Sequence, residues 1–209
     1  MNRTQLLILG AGRFAEDVAD WAAEIPGVAL IGFYQDVRPN GPATIDGLPI
    51  FNEAHLRENI TSCKFVCAVG SSGRVAFIEK VAAWGAAFAT LVHPSARVSK
   101  KASLGPGTLV GPLSNIAAHA RIGSQVILNR GASIAHHVVI EDYATIGPGA
   151  IIAGSASIGR RALIGAGAVV KPGIHVGADA TVGIGTVAVH DVKSGSTVFG
   201  VPARLLPSG

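Results

Sequence analysis

The residues best suited to chemistry lie in one short stretch, Asn129-Arg-Gly-Ala-Ser-Ile-Ala-His136-His137. An imidazole titrates near neutrality, so His136 has the acid–base range of a general base. It stands two residues after Ile134, an aliphatic position of a repeat described below, and is expected to point outward. A surface histidine without a task is the plainer alternative. His137 follows His119 by eighteen residues, which stacks the two on one face if the repeat closes every eighteen. Two stacked histidines are half of a metal site, and the spacing offers no obvious third ligand. His55, His93, His175 and His190 have no local constellation and read as structural. Cys63 and Cys67 sit in an apolar run and read as buried strand thiols, since a metal would need more ligands nearby.

A second cluster is Gly10-x-Gly12-x-x-Ala15, between an expected strand at 5–9 and a helical pattern through Val18, Trp21 and Ala22. Backbone N–H groups at such a turn, with the helix N-terminus behind them, can hold a phosphate. Three readings stay open: a dinucleotide, a nucleotide-sugar diphosphate, or a tight turn with no ligand. The domain has only about ninety residues, roughly half a full dinucleotide fold, which argues against NAD. Asp36 ends the expected strand 28–34 and can accept from a ribose or base. Gly70-Ser71-Ser72 ends another at 64–69, on the same sheet edge.

These residues must be positioned by two kinds of scaffold. From residue 1 to about 90, strands alternate with helices (53–58 and 74–84, with a further strand at 87–92), which implies a small parallel α/β sheet. Residues 39–46 read as a loop and 47–50 as a short connection. From Val92 onward, every sixth residue to Val182 is aliphatic, sixteen positions without an insertion. Four residues after each stands a second inward candidate, and thirteen of those sixteen are Ala, Ser or Thr. A period of six is neither helical nor simple strand alternation. It signals a hexapeptide-repeat parallel β-helix, three hexads to a coil of eighteen, rising about 4.8 Å per coil. Gly often follows the aliphatic, and we expect it to supply backbone angles that other residues avoid. After Val187 the tail leaves the period and is expected to cap the open end. The expected domains are 1–90 and 91–209.

Charged residues are only 14% of the chain, in keeping with a dry solenoid axis. The net charge of +4 is uneven: residues 92–187 hold eight Lys/Arg and three acidic residues, and the remainder nine and ten. A basic solenoid suits an anionic small ligand. Two Trp and two Tyr, with no basic run among aromatics, argue against nucleic acid. No apolar run approaches the ~20 residues that span a membrane, and LLILG is too short for a signal sequence, so a cytoplasmic protein without membrane insertion is expected.

The segments LILGAGRFAEDVADWA, HPSA, VILNRGASIAHHVVIEDYATIGPGA, IGAGAVV and FGVPAR together resemble the NeuD/PglD-type sugar O-/N-acyltransferases, over nearly the whole chain. The resemblance implies a Rossmann-like nucleotide-sugar-binding domain followed by a left-handed β-helix. It implies homotrimers with the active site between adjacent solenoids, and acetyl-CoA as donor to a nucleotide-linked amino sugar or a sugar hydroxyl in bacterial glycan biosynthesis. By that resemblance the catalytic histidine matches His136 and its supporting asparagine Asn129. The nucleotide-sugar contacts match Gly12, Arg13, Phe14, Gln35, Asp36 and Gly70. The acetyl-CoA contacts match Thr145, Gly154, Ala166 and Ile184. Three positions depart from the family pattern. His137 stands where a carboxylate often follows the catalytic histidine, with Glu141 or Asp142 as possible substitutes. Phe14 replaces a sugar-contacting histidine, and Thr145 a histidine near the CoA slot.

The expected reaction is direct acyl transfer, with His136 accepting a proton as the acceptor attacks the thioester, and His137 and Asn129 beside it. The solenoid contains no cysteine, so a cysteine acyl-enzyme is not expected. Arg160, Arg161, Lys171 and Arg204 are candidates for CoA phosphates, or simply solvated charge. No metal is expected. The competing readings are a γ-carbonic-anhydrase-like hydratase, which would ask His119, His136 and His137 to share a metal, and a non-catalytic scaffold.

Overall fold

The computed structural model describes residues 3–36, 43–70 and 73–206. The chain divides into two compact units, Met1–Leu91 and Val92–Gly209.

In the first unit, strands and helices alternate: β1 (Thr4–Leu9), α1 (Arg13–Ala23), β2 (Val28–Tyr34), β3 (Thr44–Ile45), β4 (Leu48–Phe51), α2 (Glu53–Glu58), β5 (Lys64–Cys67), α3 (Arg74–Ala83) and β6 (Ala87–Phe88). They form one sheet in the order β3-β4-β2-β1-β5-β6. Leu6, Ile8 and Leu9 of β1, Phe33 of β2 and Phe65 of β5 are fully buried. Near-continuous apolar strands are what a sheet covered on both faces requires. On α1 the buried residues are Ala15, Val18, Trp21 and Ala22, a stripe at helical spacing. β1 pairs in parallel with β2 on one side and β5 on the other. The chain therefore leaves the C-terminal end of β1 toward one flank and later returns on the other, and a crevice opens where the direction reverses.

Two expectations are corrected here. Residues 44–51 are not a loop and a connection but a hairpin, β3 pairing antiparallel with β4. Asp46 and Gly47 turn it with φ of 48° and 78°, the geometry that Asp-Gly favours in two-residue hairpins. The run 87–92 is not one strand: β6 pairs with β5, and Leu91–Val92 begins the solenoid's largest sheet.

The second unit is a parallel β-solenoid. Its strands, two residues long as far as Val187–Ala188, stack in three sheets, with partners eighteen residues apart, as in Ile116↔Ile134 and Ile146↔Ile164. Between strands run three ladders of turns. One contains 111–114, 129–132, 147–150, 165–168 and 183–186. A second contains 99–102, 117–120, 135–138 and 153–156. The aliphatic position is buried from Val110 to Val182, and the small position from Thr108 to Thr186. Val92, Val98 and Leu104 are only partly buried, as befits the end of a stack, where a coil has a neighbour on one side.

The glycines act otherwise than expected. Those that follow the aliphatic do not have positive φ. They are required because coils approach there: a methyl group at Gly165 would come within 2.6 Å of Ile184 N, and one at Gly147 within 2.6 Å of Ala166 N. Positive φ falls two residues later, at Gly131, Gly149, Gly167 and Gly185, and also at His119, His137, Tyr143 and Arg161.

The tail shortens the coil before ending it. Val198 pairs with Val182, sixteen residues away rather than eighteen, and Arg204–Leu205 folds back antiparallel on Thr197–Phe199. Val192 and Val198 join the axial core.

Candidate active site

All six residues expected to contact a nucleotide sugar line one pocket of about 590 Å³ in the first unit: Gly12, Arg13, Phe14, Gln35, Asp36 and Gly70. The strand order accounts for this, since the pocket sits where the C-terminal ends of β1, β2 and β5 meet. Gly10 turns the chain out of β1 at φ 113°, with Val69 and Ala68 packed so close that a methyl group would meet them at 3.0 and 3.2 Å. Gly12 caps α1 with extended backbone and no side-chain hydrogen bond. Arg13 and Phe14, which open α1, line the crevice, and no side chain caps the helix there, an arrangement suited to phosphate. The buried Oε1 of Gln35 has no hydrogen-bond partner among the described residues. Phe14 packs edge-on against Trp21 at 6.0 Å. Ser71 and Ser72 lie outside the described residues.

Two residues that sequence reasoning passed over hold the Asp36 carboxylate. Tyr34 Oη donates to it at 2.9 Å, and Lys80 Nζ at 2.7 and 2.8 Å. The Lys80 hydrogen bond keeps Asp36 below the ordinary carboxylate range. Burial, and then the bond to Asp36, raise the Tyr34 phenol. The available signal was that Tyr34 ends β2 and Asp36 follows it by two, close enough for the phenol to reach the carboxylate.

In the solenoid, His136 and His137 are exposed on the second ladder of turns. Their Nδ1 atoms face each other at 3.2 Å, and the rings are nearly perpendicular. A bond between two such nitrogens needs one of them to donate. When His136 Nδ1 donates, its Nε2 keeps a free lone pair. His137 stacks on His119 at 4.8 Å between ring centroids, as the eighteen-residue spacing predicts. On the other side His136 lies against Gly154, where a methyl group would come within 2.7 Å of Cε1 and 2.9 Å of Nε2. The two carboxylates considered as partners are turned elsewhere. Glu141 accepts from Arg160 N at 2.8 Å, and Asp142 from Ser124 N at 2.7 Å.

Asn129 is not on the ladder of His136. It lies on the first ladder, and its Oδ1 accepts from Arg130 N at 2.8 Å. Ala166 and Ile184 stand one coil apart on that same ladder, and Ile184 is 69% exposed. Gly154 shares the ladder of His136, and Thr145 begins the strand Thr145–Ile146. One chain therefore presents the expected donor-binding residues on more than one edge of the solenoid. Arg161 grips Asp179 with two bonds of 2.6 Å, and Arg160 lies over Tyr143 at 4.6 Å, so both are engaged within the chain.

Among the described residues, no group of three or more His, Cys, Asp or Glu is arranged to hold a metal ion. No helix there is long and apolar enough to cross a membrane. Cys63 and Cys67 are buried free thiols, 6% and 3% exposed.

Two family profiles match the solenoid: bacterial transferase hexapeptide (six repeats) at residues 119–154, and hexapeptide repeat of succinyl-transferase at 155–187. No curated protein matches the chain. Solved structures do. The acetyltransferase domain of PglB from Neisseria gonorrhoeae is 32% identical, with 98% of this chain and 100% of that one covered and a TM-score of 0.89. A mutant of perosamine N-acetyltransferase from Caulobacter crescentus, in complex with CoA and GDP-perosamine, is 28% identical over 98% and 97%, with a TM-score of 0.89. WeeI from Acinetobacter baumannii is 26% identical over 97% and 100%, with a TM-score of 0.88.

Proposed function

The chain belongs to the NeuD/PglD-type sugar acyltransferases, and from that premise we propose that it transfers the acetyl group of acetyl-CoA to the amine of a nucleotide-linked amino sugar. The observation that carries this reading is His136, held between Gly154 and His137 with its Nδ1 occupied. His136 Nε2 takes the proton as the acceptor nitrogen attacks the thioester carbonyl. The tetrahedral adduct collapses, the C–S bond breaks, and His136 returns the proton to the departing thiolate. His137, whose Nδ1 lies 3.2 Å from that of His136, holds the imidazole in place.

Related structures support the choice of ligands, since one was solved with acetyl coenzyme A and others with CoA and GDP-perosamine. In this reading the pocket at Gly12–Phe14, Gln35, Asp36 and Gly70 takes the nucleotide sugar, so that 1–90 is a Rossmann-like nucleotide-sugar-binding domain and 91–209 a left-handed acyltransferase domain. Thr145, Gly154, Ala166 and Ile184 take the CoA. Because Asn129, Ala166 and Ile184 stand on a different edge from His136, the complete site is assembled between adjacent solenoids of a homotrimer, where Asn129 helps stabilise the developing oxyanion. The compartment is the cytoplasm.

The test is calorimetric titration with acetyl-CoA, followed by an acetylation assay on UDP-, GDP- and dTDP-linked amino sugars. We expect about one acetyl-CoA per chain, N-acetylated product, and a kcat lowered ~10²–10⁴-fold in His136→Ala. Product from sugars bearing only hydroxyls would convert the reading to O-acetylation. Absence of acetyl-CoA binding would overturn it.

A further inference from the structure

A second pocket, of about 410 Å³, lies beside His137 and is lined by Lys101, Ser103, His119, Arg121 and His137. The repeat builds it. Lys101, His119 and His137 occupy one turn position in three successive coils, and Ser103 pairs with Arg121 on the adjoining sheet. Two permanent cations, two imidazoles and a hydroxyl therefore converge within coils spaced about 4.8 Å apart. No carboxylate lines the pocket. The carboxylates nearest in sequence, Glu141 and Asp142, face Arg160 and Ser124 instead. Like charges at such spacing repel, and an oxyanion placed among them offsets that repulsion while accepting several charge-assisted hydrogen bonds.

The direction of the ladder decides which reactant brings the anion. Gly154, Ala166 and Ile184, the residues proposed for the acyl donor, all belong to coils after His136. The cationic pocket belongs to coils before it, and His137 joins the two. We infer that this pocket binds an oxyanion, a phosphate or a carboxylate, carried by the acyl acceptor, and so sets the acceptor's reacting atom against His136. The inference rests on the acyl-transfer reading and adds to it a requirement that the acceptor be anionic close to its reacting end.

The full chain is titrated with inorganic phosphate and, separately, with acetate, at constant pH and ionic strength, while the imidazole resonances of His119, His137 and His175 are followed by NMR. His175 serves as control because it bonds to Ser157, outside the pocket. We expect His119 and His137 to shift and saturate with one of the two anions while His175 does not. Arg121→Gln and Lys101→Gln, both at exposed positions, should weaken that binding about tenfold or more each. Saturation by phosphate alone assigns a phosphate, and saturation by acetate alone a carboxylate. Unsaturable shifts common to all three histidines, or variants that bind as the parent does, overturn the inference. So does displacement of the anion by saturating acetyl-CoA, which would give the pocket to the donor. Calorimetry with acetyl-CoA on the same samples separates the cases: donor binding without an anion site refutes this inference alone, and absence of donor binding refutes the acyl-transfer reading.

Discussion

The imidazole of His136 rests against the backbone of Gly154, one coil further on, so closely that no β-carbon fits between them. The separation of eighteen residues is one turn of the solenoid, and the absent side chain of Gly154 is what lets the ring lie there. A methyl group at this position must displace the ring by a fraction of an ångström or more. Gly154→Ala is therefore expected to lower kcat about 10²-fold without loss of the folded protein's circular dichroism. A rate equal to that of the parent would show that the ring's seat on Gly154 has no part in catalysis.

His137 is a positioning residue in this scheme. Its φ is +59°, in the left-handed region, which Asn adopts more readily than most residues. His137→Asn keeps the backbone while removing the stack on His119 and the Nδ1 partner of His136. Steady-state kinetics should show kcat reduced by about tenfold or more and the KM for acetyl-CoA little changed. A rise in that KM with kcat intact would place His137 in donor binding.

The two kinds of solenoid glycine should respond unequally to substitution. Gly165 faces the backbone of the next coil, and a methyl group there meets Ile184 N at 2.6 Å. Gly167 has φ +64° and open space around its missing side chain. Gly165→Ala should cost about 1–3 kcal/mol through overpacking. Gly167→Asn should cost less than about 1 kcal/mol, because Asn tolerates that backbone. Denaturant unfolding of the two variants measures the difference, and equal losses would refute the assignment of close approach to the first.

Acid should weaken the fold by protonating paired carboxylates. Asp36 is held below its ordinary value by Lys80, and Asp179 by Arg161. A carboxylate with a depressed folded pKa contributes stability that is present above its unfolded pKa, near 3.8, and lost as pH falls through the folded value. Thermal unfolding should therefore show a Tm that declines below about pH 4. Asp36→Asn and Asp179→Asn should each flatten that decline. Both pairs are largely exposed, so salt should shrink the effect.

The solenoid was legible from the amino-acid order because its geometry is a local rule applied many times. An aliphatic residue every six positions faces one axis when each coil holds a whole number of hexads, and three hexads close a coil of eighteen. That same rule predicted the His119–His137 stack and the outward placement of His136. Likewise, Gly10, Gly12, Asp36 and Gly70 each stand just beyond an apolar strand, and parallel strands bring those ends to one edge. The hairpin at Asp46-Gly47 was legible too, through a dipeptide that favours it, but was passed over.

What the order of residues did not contain was which polar atoms bond between coils, because that follows rotamers and not the period alone. Nothing periodic tells that Glu141 turns to the backbone of Arg160, leaving the Nδ1 of His136 to its neighbour His137. Nor does it tell that the glycine after each aliphatic serves close approach while the strained backbone falls two residues later, on residues as unlike as His137 and Arg161. The scaffold, and the edge on which each candidate stands, follow from residue order alone. Which atoms meet is settled in the folded chain, since that depends on how one coil's backbone and side chains pack against the next.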